Sequence, residues 1–264
     1  MGLPGRPGSH VEVQDVALSF GHRPVFDGLN CSFPRGQISV VMGGSGAGKS
    51  TLLRLIGGLQ RPDQGHVRVA GEEIAGRDDA ALNPIRKQLG MLFQNGALLD
   101  SMTVFENVAL PLREHEALSE DEVARRVRNR LEAVGLSDVE ELLPRALSGG
   151  MLRRAALARA IVMEPAVVLC DEPFSGLDPP NVSRIEALLR GLNQELGLTL
   201  IVTSHHMASS LRMADQIILM RNRTCVSGSP LELAGSTDSA ILEFIGEDGA
   251  EYLAHHGPGA EGGG

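Results

Sequence analysis

The chain has 264 residues, 42% hydrophobic and 22% charged, enough apolar content to close a core without disulfide or metal staples. Its formal charge of -9 weighs against a sequence-independent nucleic-acid binder, because neutralising phosphates takes a basic face. Cys31, Cys170 and Cys225 are an odd number without CxxC spacing, which argues against a zinc site or a disulfide framework and fits a reducing compartment.

No run reaches the roughly 18 apolar residues of a membrane span. The most apolar region, Ala155 to Cys170, is broken by Arg159, Glu164 and Pro165. The start lacks an apolar h-region, and Arg6 stands where a myristoylation signal wants Ser or Thr, so a cytoplasmic protein is expected.

In chain order, Val11, Val13, Val16, Leu18 and Phe20 make two alternating runs offset by one residue, either two strands or one with a bulge. Gln37 to Met42 is a β-branched strand ending at Gly43, and Val67 and Val69 mark another. Ser119 and Glu122 form a capping box ahead of Val123, Val127, Leu131 and Val134, with Gly135 as the stop. Arg125, Arg126, Arg128 and Arg130 form the solvated face of that helix. Pro165 to Asp171 and Thr199 to Thr203 are continuous apolar runs, the pattern of parallel strands covered on both faces. Gln216–Met220 and Thr224–Ser227 flank a turn and predict a hairpin. Helical fragments follow at Leu231–Ala234 and Ser239–Ile245, and from Gly246 the Gly-rich polar sequence predicts disorder.

Two motifs carry chemistry on their own. GGSGAGKST, from Gly43 through Gly44, Ser45, Gly46, Ala47, Gly48, Lys49 and Ser50 to Thr51, follows a strand and opens the helix LLRLIGGL. Glycines there let backbone N–H groups turn toward an anion, Lys49 reaches the β and γ phosphates, and Ser50 ligates Mg²⁺. VVLCDEP delivers Asp171 and Glu172 side by side at a strand end, where alternation sends them to different tasks: Asp171 to the metal's water shell, Glu172 toward an attacking water. Cys170 reads as a small buried hydrophobe, and His255 and His256 as solvated histidines.

LSGG, Leu147 to Gly150, lies about 100 residues after the phosphate loop, and from it the chain resembles the ATP-binding-cassette ATPases over Val11 to about Ser229. Gln94 in LFQNGAL resembles the Q-loop, SGLD ending at Asp178 the D-loop, and His205 in VTSHHM the switch histidine. The resemblance implies an α/β P-loop NTPase cassette with a RecA-like core, an antiparallel β subdomain and a helical signature subdomain. Its implied boundaries are 10–229 for the cassette, with the helical part at about 96–160, and 230–264 for a C-terminal extension.

The resemblance further implies a head-to-tail dimer in which each ATP is held by one copy's phosphate loop and by Ser148, Gly149 and Gly150 of the other. Glu172 would polarise water, His205 contact the γ-phosphate, Gln94 sense phosphate and Mg²⁺, and Asp178 communicate across the dimer. Phe20 is the candidate to stack on adenine, although a core phenylalanine would leave the same pattern. His206 stands where many family members have an acidic residue, and Lys87 receives no role.

LFQNGALLDSMTVFENVALPLREH, Leu92 to His115, together with LLRLIGG, LEAVGL and LSGGMLRRAALARAI, resembles the ATPases of the Mla family of bacterial lipid transporters and related MCE systems. This implies a subunit on the cytoplasmic face of the inner membrane. Its implied partners are a second copy of itself, an integral membrane permease, a periplasmic MCE-type lipid-binding protein and a small regulatory subunit. Leu242, Phe244 and Ile245 are placed to anchor a C-terminal extension, whose end departs from the family's Pro- and aromatic-rich one. An importer for another solute such as an amino acid, and a soluble regulatory ATPase, are the competing readings.

Overall fold

The computed structural model describes residues 8–257. Its elements run β1 (Ser9–Phe20), β2 (Arg23–Pro34), β3 (Ile38–Gly43), α1 (Lys49–Ile56), β4 (Gln64–Val69), β5 (Glu72–Glu73), α2 (Asp79–Arg86) and β6 (Leu89–Leu92). A helical segment follows with α3 (Val104–His115), α4 (Glu120–Ala133) and α5 (Gly149–Ile161). The chain continues through β7 (Val167–Asp171), α6 (Pro179–Leu196), β8 (Thr199–Thr203), α7 (Met207–Met213), β9 (Gln216–Arg221), β10 (Thr224–Gly228), α8 (Pro230–Ala234) and α9 (Ser239–His256).

The strands form two sheets. The antiparallel one has order β2-β1-β4-β5, and the six-stranded one has order β10-β9-β3-β8-β7-β6, parallel except for β10. Side-chain alternation on the parallel strands explains their continuous apolar runs. Val41, Leu169 and Ile201 face a core shared with α1, α2 and the antiparallel sheet. Their neighbours Val40, Cys170 and Val202 face the other way, into a core shared with α5, α6 and the helices that follow. Both faces of the sheet are therefore dry, and each fully buried aliphatic side chain contributes on the order of 1.5–3 kcal/mol of transfer free energy.

The offset pattern near the start is one strand with a bulge. Asp15 has φ 50, and the pairing of β1 with both neighbours shifts register there, which returns Val16 and Leu18 to the buried face occupied by Val11 and Val13. Strand β2 is obscured in the sequence because Gly28, at φ 71, breaks the alternation between Phe26 and Leu29. Helix α3 is obscured by Pro111 in its interior, yet Thr103 and Glu106 give it a reciprocal capping box. The box expected at α4 is one-sided: Ser119 Oγ accepts from the Glu122 N–H, but the Glu122 carboxylate pairs with Arg125 and Arg126 instead, which pulls its pKa down to about 2.

Disorder from Gly246 is corrected by the structure as far as the described residues go. Helix α9 continues to His256 across a kink at Gly246, whose φ 59, ψ -144 is a conformation essentially reserved for glycine. Ile245 and Gly249 are then buried against α7 and α8, and Tyr252 packs on the same core. The remainder of the expected disordered tail, 258–264, lies outside the described residues. Lys87 acquires a structural role: its Nζ donates to the His115 carbonyl at 3.1 Å, closing the end of α3.

Gly90 marks the closest approach of β6 to α5, since a Cβ there would run into the Ala160 carbonyl oxygen. Gly90→Ala is expected to cost about 3 kcal/mol, measured as a lower midpoint in denaturant unfolding.

Candidate active site

The site grows from the end of β3. A Cβ on Gly43 would lie 2.9 Å from the Met220 carbonyl oxygen, and one on Gly48, at φ 99, would lie 2.6 Å from Phe26 Cε1. Only glycine fits at Gly48, which opens α1 without any side-chain cap and leaves the positive end of the helix facing the loop.

Lys49 folds back so that Nζ donates to the Gly43 carbonyl at 2.9 Å, and it lies 3.8 Å from Glu172 Oε1. Ser50 Oγ donates to Asp171 Oδ1 at 2.9 Å, and the same oxygen accepts from Thr203 Oγ1 at 2.7 Å. Asp171 is thus buried at the junction of α1, β7 and β8. The next residue diverges sharply. Glu172 sits at φ 47, its N–H donates to Thr203 Oγ1 at 2.9 Å, and its Oε2 lies 2.7 Å from His205 Nδ1. A non-glycine residue in this region stores backbone strain, which the Thr203 bond helps to hold in place.

Two connected clefts share Ser45, Lys49, Glu172 and His205. The first, about 650 Å³, extends along the phosphate loop to Gln94 on one side and to Phe20, Arg23 and Arg223 on another. Phe20 is 49% exposed there, so it is no core residue. The second, about 720 Å³, is walled by Met207 and by Phe244 to Asp248 of α9. His206 lies outside these linings; burial, and then the neighbouring His205, lower its pKa, and its ring meets Phe174 edge-on with centroids 5.9 Å apart. Cys170 is inert, its thiol pushed up to about 12 by burial and by Asp171 beside it.

Not every expected residue joins the clefts. Ser148, Gly149, Gly150 and Asp178 line neither one. Ser148 caps α5 through the Met151 N–H, Asp178 caps α6 through the Asn181 N–H, and a Cβ on Gly150 would lie 3.1 Å from Asn181 Oδ1. The signature and the loop ending at Asp178 therefore sit against each other, apart from the phosphate loop of their own chain.

Residues the sequence reading missed connect these parts. Thr203 is the hydroxyl between the two carboxylates, and nothing in an apolar strand run distinguishes it beforehand. Arg153, buried in α5, donates to the Phe93 carbonyl at 3.4 Å and the Ser175 carbonyl at 3.0 Å, and burial lowers its pKa. Arg159 donates to the carbonyls of Gly96 and Ala97 at 2.8 and 2.7 Å. Their signal was present: arginines recur at 153, 154 and 159 in an otherwise alanine- and leucine-rich helix.

With this geometry in view, comparison with known families is decisive: the model for ABC transporters matches residues 26–175. The chain belongs to the ABC transporter family. Among curated ABC proteins it is 44% identical, over 89% of its length and 88% of the relative, to the intermembrane phospholipid transport system ATP-binding protein MlaF of Escherichia coli (strain K12). The Haemophilus influenzae protein of the same name is 42% identical over 89% of both chains. The methionine import ATP-binding protein MetN of Brucella abortus is 42% identical over 84% of this chain but only 60% of its own length. Among solved ABC structures, the dimeric post-hydrolysis state of the cassette MJ0796 bound to ADP and Pi superposes with TM-score 0.76 at 31% identity, covering 83% of this chain and 98% of that one. The cassette cbiO1 from Clostridium perfringens gives 0.80 at 26% identity, covering 94% and 96%. The α/β cassette fold with its two sheets and helical segment is thus that of the family.

Thr203→Val keeps the shape of the strand but leaves the Glu172 N–H and Asp171 short of a partner. A loss of about 1–3 kcal/mol in unfolding free energy is expected, with a lower ATP turnover number at an ATP KM changed less than turnover.

Proposed function

We propose that this chain is the ATP-hydrolysing subunit of a bacterial transporter that moves phospholipids between membranes. The observation that carries the catalytic half is the convergence of Lys49, Glu172 and His205 on one cleft beside the phosphate loop. The transport half is supported by the identity to the MlaF proteins across nearly the whole length of both chains. The methionine-import relatives support the competing importer reading less well, since the chain spans 60% of them.

In this reading the phosphate loop and the start of α1 receive the ATP phosphates, and Lys49 exchanges its Gly43 contact for β- and γ-phosphate oxygens. Phe20 stacks on the base. Glu172 orients a water toward the γ-phosphate, and the His205 bond to Oε2 holds that carboxylate in its direction while leaving Oε1 for the water. Gln94, at the edge of the cleft, reports on the phosphate through the loop that Arg153 and Arg159 brace. Ser50 Oγ, Asp171 and Gln94 are hard oxygen donors suited to Mg²⁺ and its waters, and they are the residues that would hold it. The ion would supply neutralisation of phosphate charge.

The position of Ser148 to Gly150 and Asp178 away from their own phosphate loop supports a head-to-tail pair, in which a second copy brings them to the ATP. No described helix is long and apolar enough to cross a membrane. In keeping with that, the subunit works peripherally on the cytoplasmic face of the inner membrane, with a permease, a periplasmic MCE-type protein and a small regulatory subunit as partners.

Glu172→Gln is expected to keep ATP affinity, cut turnover by on the order of 10²–10³-fold and trap an ATP-dependent dimer by size-exclusion chromatography. Full turnover in this variant removes Glu172 from the role. Lys49→Ala is expected to lose ATP affinity in equilibrium binding. Ser148→Arg should leave ATP binding by the monomer intact while abolishing dimer formation. For the transport half, the copurified complex in liposomes should move labelled phospholipid only with ATP; ATP-driven movement of a small solute instead would favour the importer.

A further inference from the structure

Strands β2 and β10 are the outer strands of the two different sheets, and their edges meet. The Asp27 N–H donates to the Arg223 carbonyl at 3.2 Å. Three residues further along β2, the Asn30 carbonyl accepts from Cys225 Sγ at 3.3 Å. This bond sets the Cys225 sulfur against the peptide that joins Asn30 to Cys31. The Cys31 side chain follows directly on that peptide, and the two thiols are close enough to perturb each other's titration. Both side chains are partly exposed and pack against the same apolar cluster, whereas Cys170 is wholly buried on the far side of the parallel sheet. The two cysteines lie 194 positions apart in sequence (225 minus 31) and are brought together only by the seam between the sheets.

We propose that Cys31 and Cys225 are an oxidisable dithiol that closes to a disulfide on meeting a low-molecular-weight disulfide, tying the antiparallel sheet to the parallel one. The neighbouring thiol lowers the pKa of Cys225 and, with burial added, raises that of Cys31 well above the ordinary range. Cys225, with the lower pKa of the two, is the attacking sulfur once the proton it shares with the Asn30 carbonyl is lost, and Cys31 is the resolving thiol. The Cys225 thiolate attacks one sulfur of the small disulfide RSSR, forming a mixed disulfide and expelling RS⁻. The Cys31 proton goes to that leaving thiolate, giving the first RSH. The Cys31 thiolate then attacks the Cys225 sulfur, the protein S–S bond forms, and the second RS⁻ leaves and takes a proton from solvent. Two protein thiols have been oxidised and one small disulfide reduced to two thiols. In a reducing compartment such a bond is transient, which suits a pair at the surface seam rather than in the core.

The closure acts on the site because the cleft is walled from both sides of this seam: Phe20, Arg23, Pro24 and Val25 come from the antiparallel sheet and its turn, and Arg223 from the turn between β9 and β10. Fixing β2 to β10 fixes the spacing of those walls. It also removes a long loop from the unfolded chain, so the closed form should unfold at a higher temperature.

The test uses the reduced full-length protein, incubated with oxidised glutathione at mildly alkaline pH, quenched with iodoacetamide and mapped by mass spectrometry. The expected product has lost two hydrogens, yields a linked Cys31–Cys225 peptide, returns to two thiols with dithiothreitol and leaves Cys170 unmodified until denaturation. Cys31→Ser should instead accumulate a glutathione adduct on Cys225. A native protein whose Cys31 and Cys225 remain separately alkylatable, or which stops at a glutathione adduct, overturns the proposal. So does a link that forms only after denaturation, or an adduct in Cys31→Ser that lies elsewhere than Cys225.

Discussion

One carboxylate oxygen, Oδ1 of Asp171, holds the site together. It accepts the hydroxyls of Ser50 and Thr203, so the helix after the phosphate loop and two neighbouring parallel strands converge on a single atom. Burying that charge is tolerable only because it is bonded from both sides. The arrangement passes on to Glu172, whose N–H is held by the same Thr203 hydroxyl while its carboxylate turns the other way to His205. A change at Asp171 is therefore a change in the aim of Glu172, although the two side chains do different things.

Much of this was legible beforehand, for physical reasons. The parallel strands announce themselves because both faces must be apolar, and the phosphate loop because few residues other than glycine tolerate its backbone. What stayed hidden falls where local pattern and tertiary context part. Strand β2 loses its alternation at Gly28, and α3 carries a proline that a helix reading rejects. The segment after Gly246 looks like linker by composition, yet it folds as helix beyond a kink that only glycine readily adopts, with Gly249 buried and Tyr252 packed on the core. Thr203 was invisible for another reason: a threonine in a buried strand shows its hydroxyl only once the neighbouring strand is in register.

The helical segment communicates with the cleft by a polar route. Among the described residues Arg153 and Arg159 pair with no carboxylate, and their terminal N–H groups donate to carbonyls flanking Gln94 and following Glu172. A guanidinium bonded to carbonyls in this way fixes the positions of two loops at once, something that apolar packing of α5 would do less specifically. The signature at the start of the same helix is thus mechanically continuous with both loops, even though it lies outside the clefts of its own chain.

The last wall of the cleft beside Gly43 to Ser45 comes from Phe244 to Asp248, nearly two hundred residues after the loop it faces. During synthesis the phosphate loop, both carboxylates and His205 all leave the ribosome well before that wall exists. The cleft is consequently completed last, and a chain cut short ahead of α9 would carry every motif of the site but leave it open on one side.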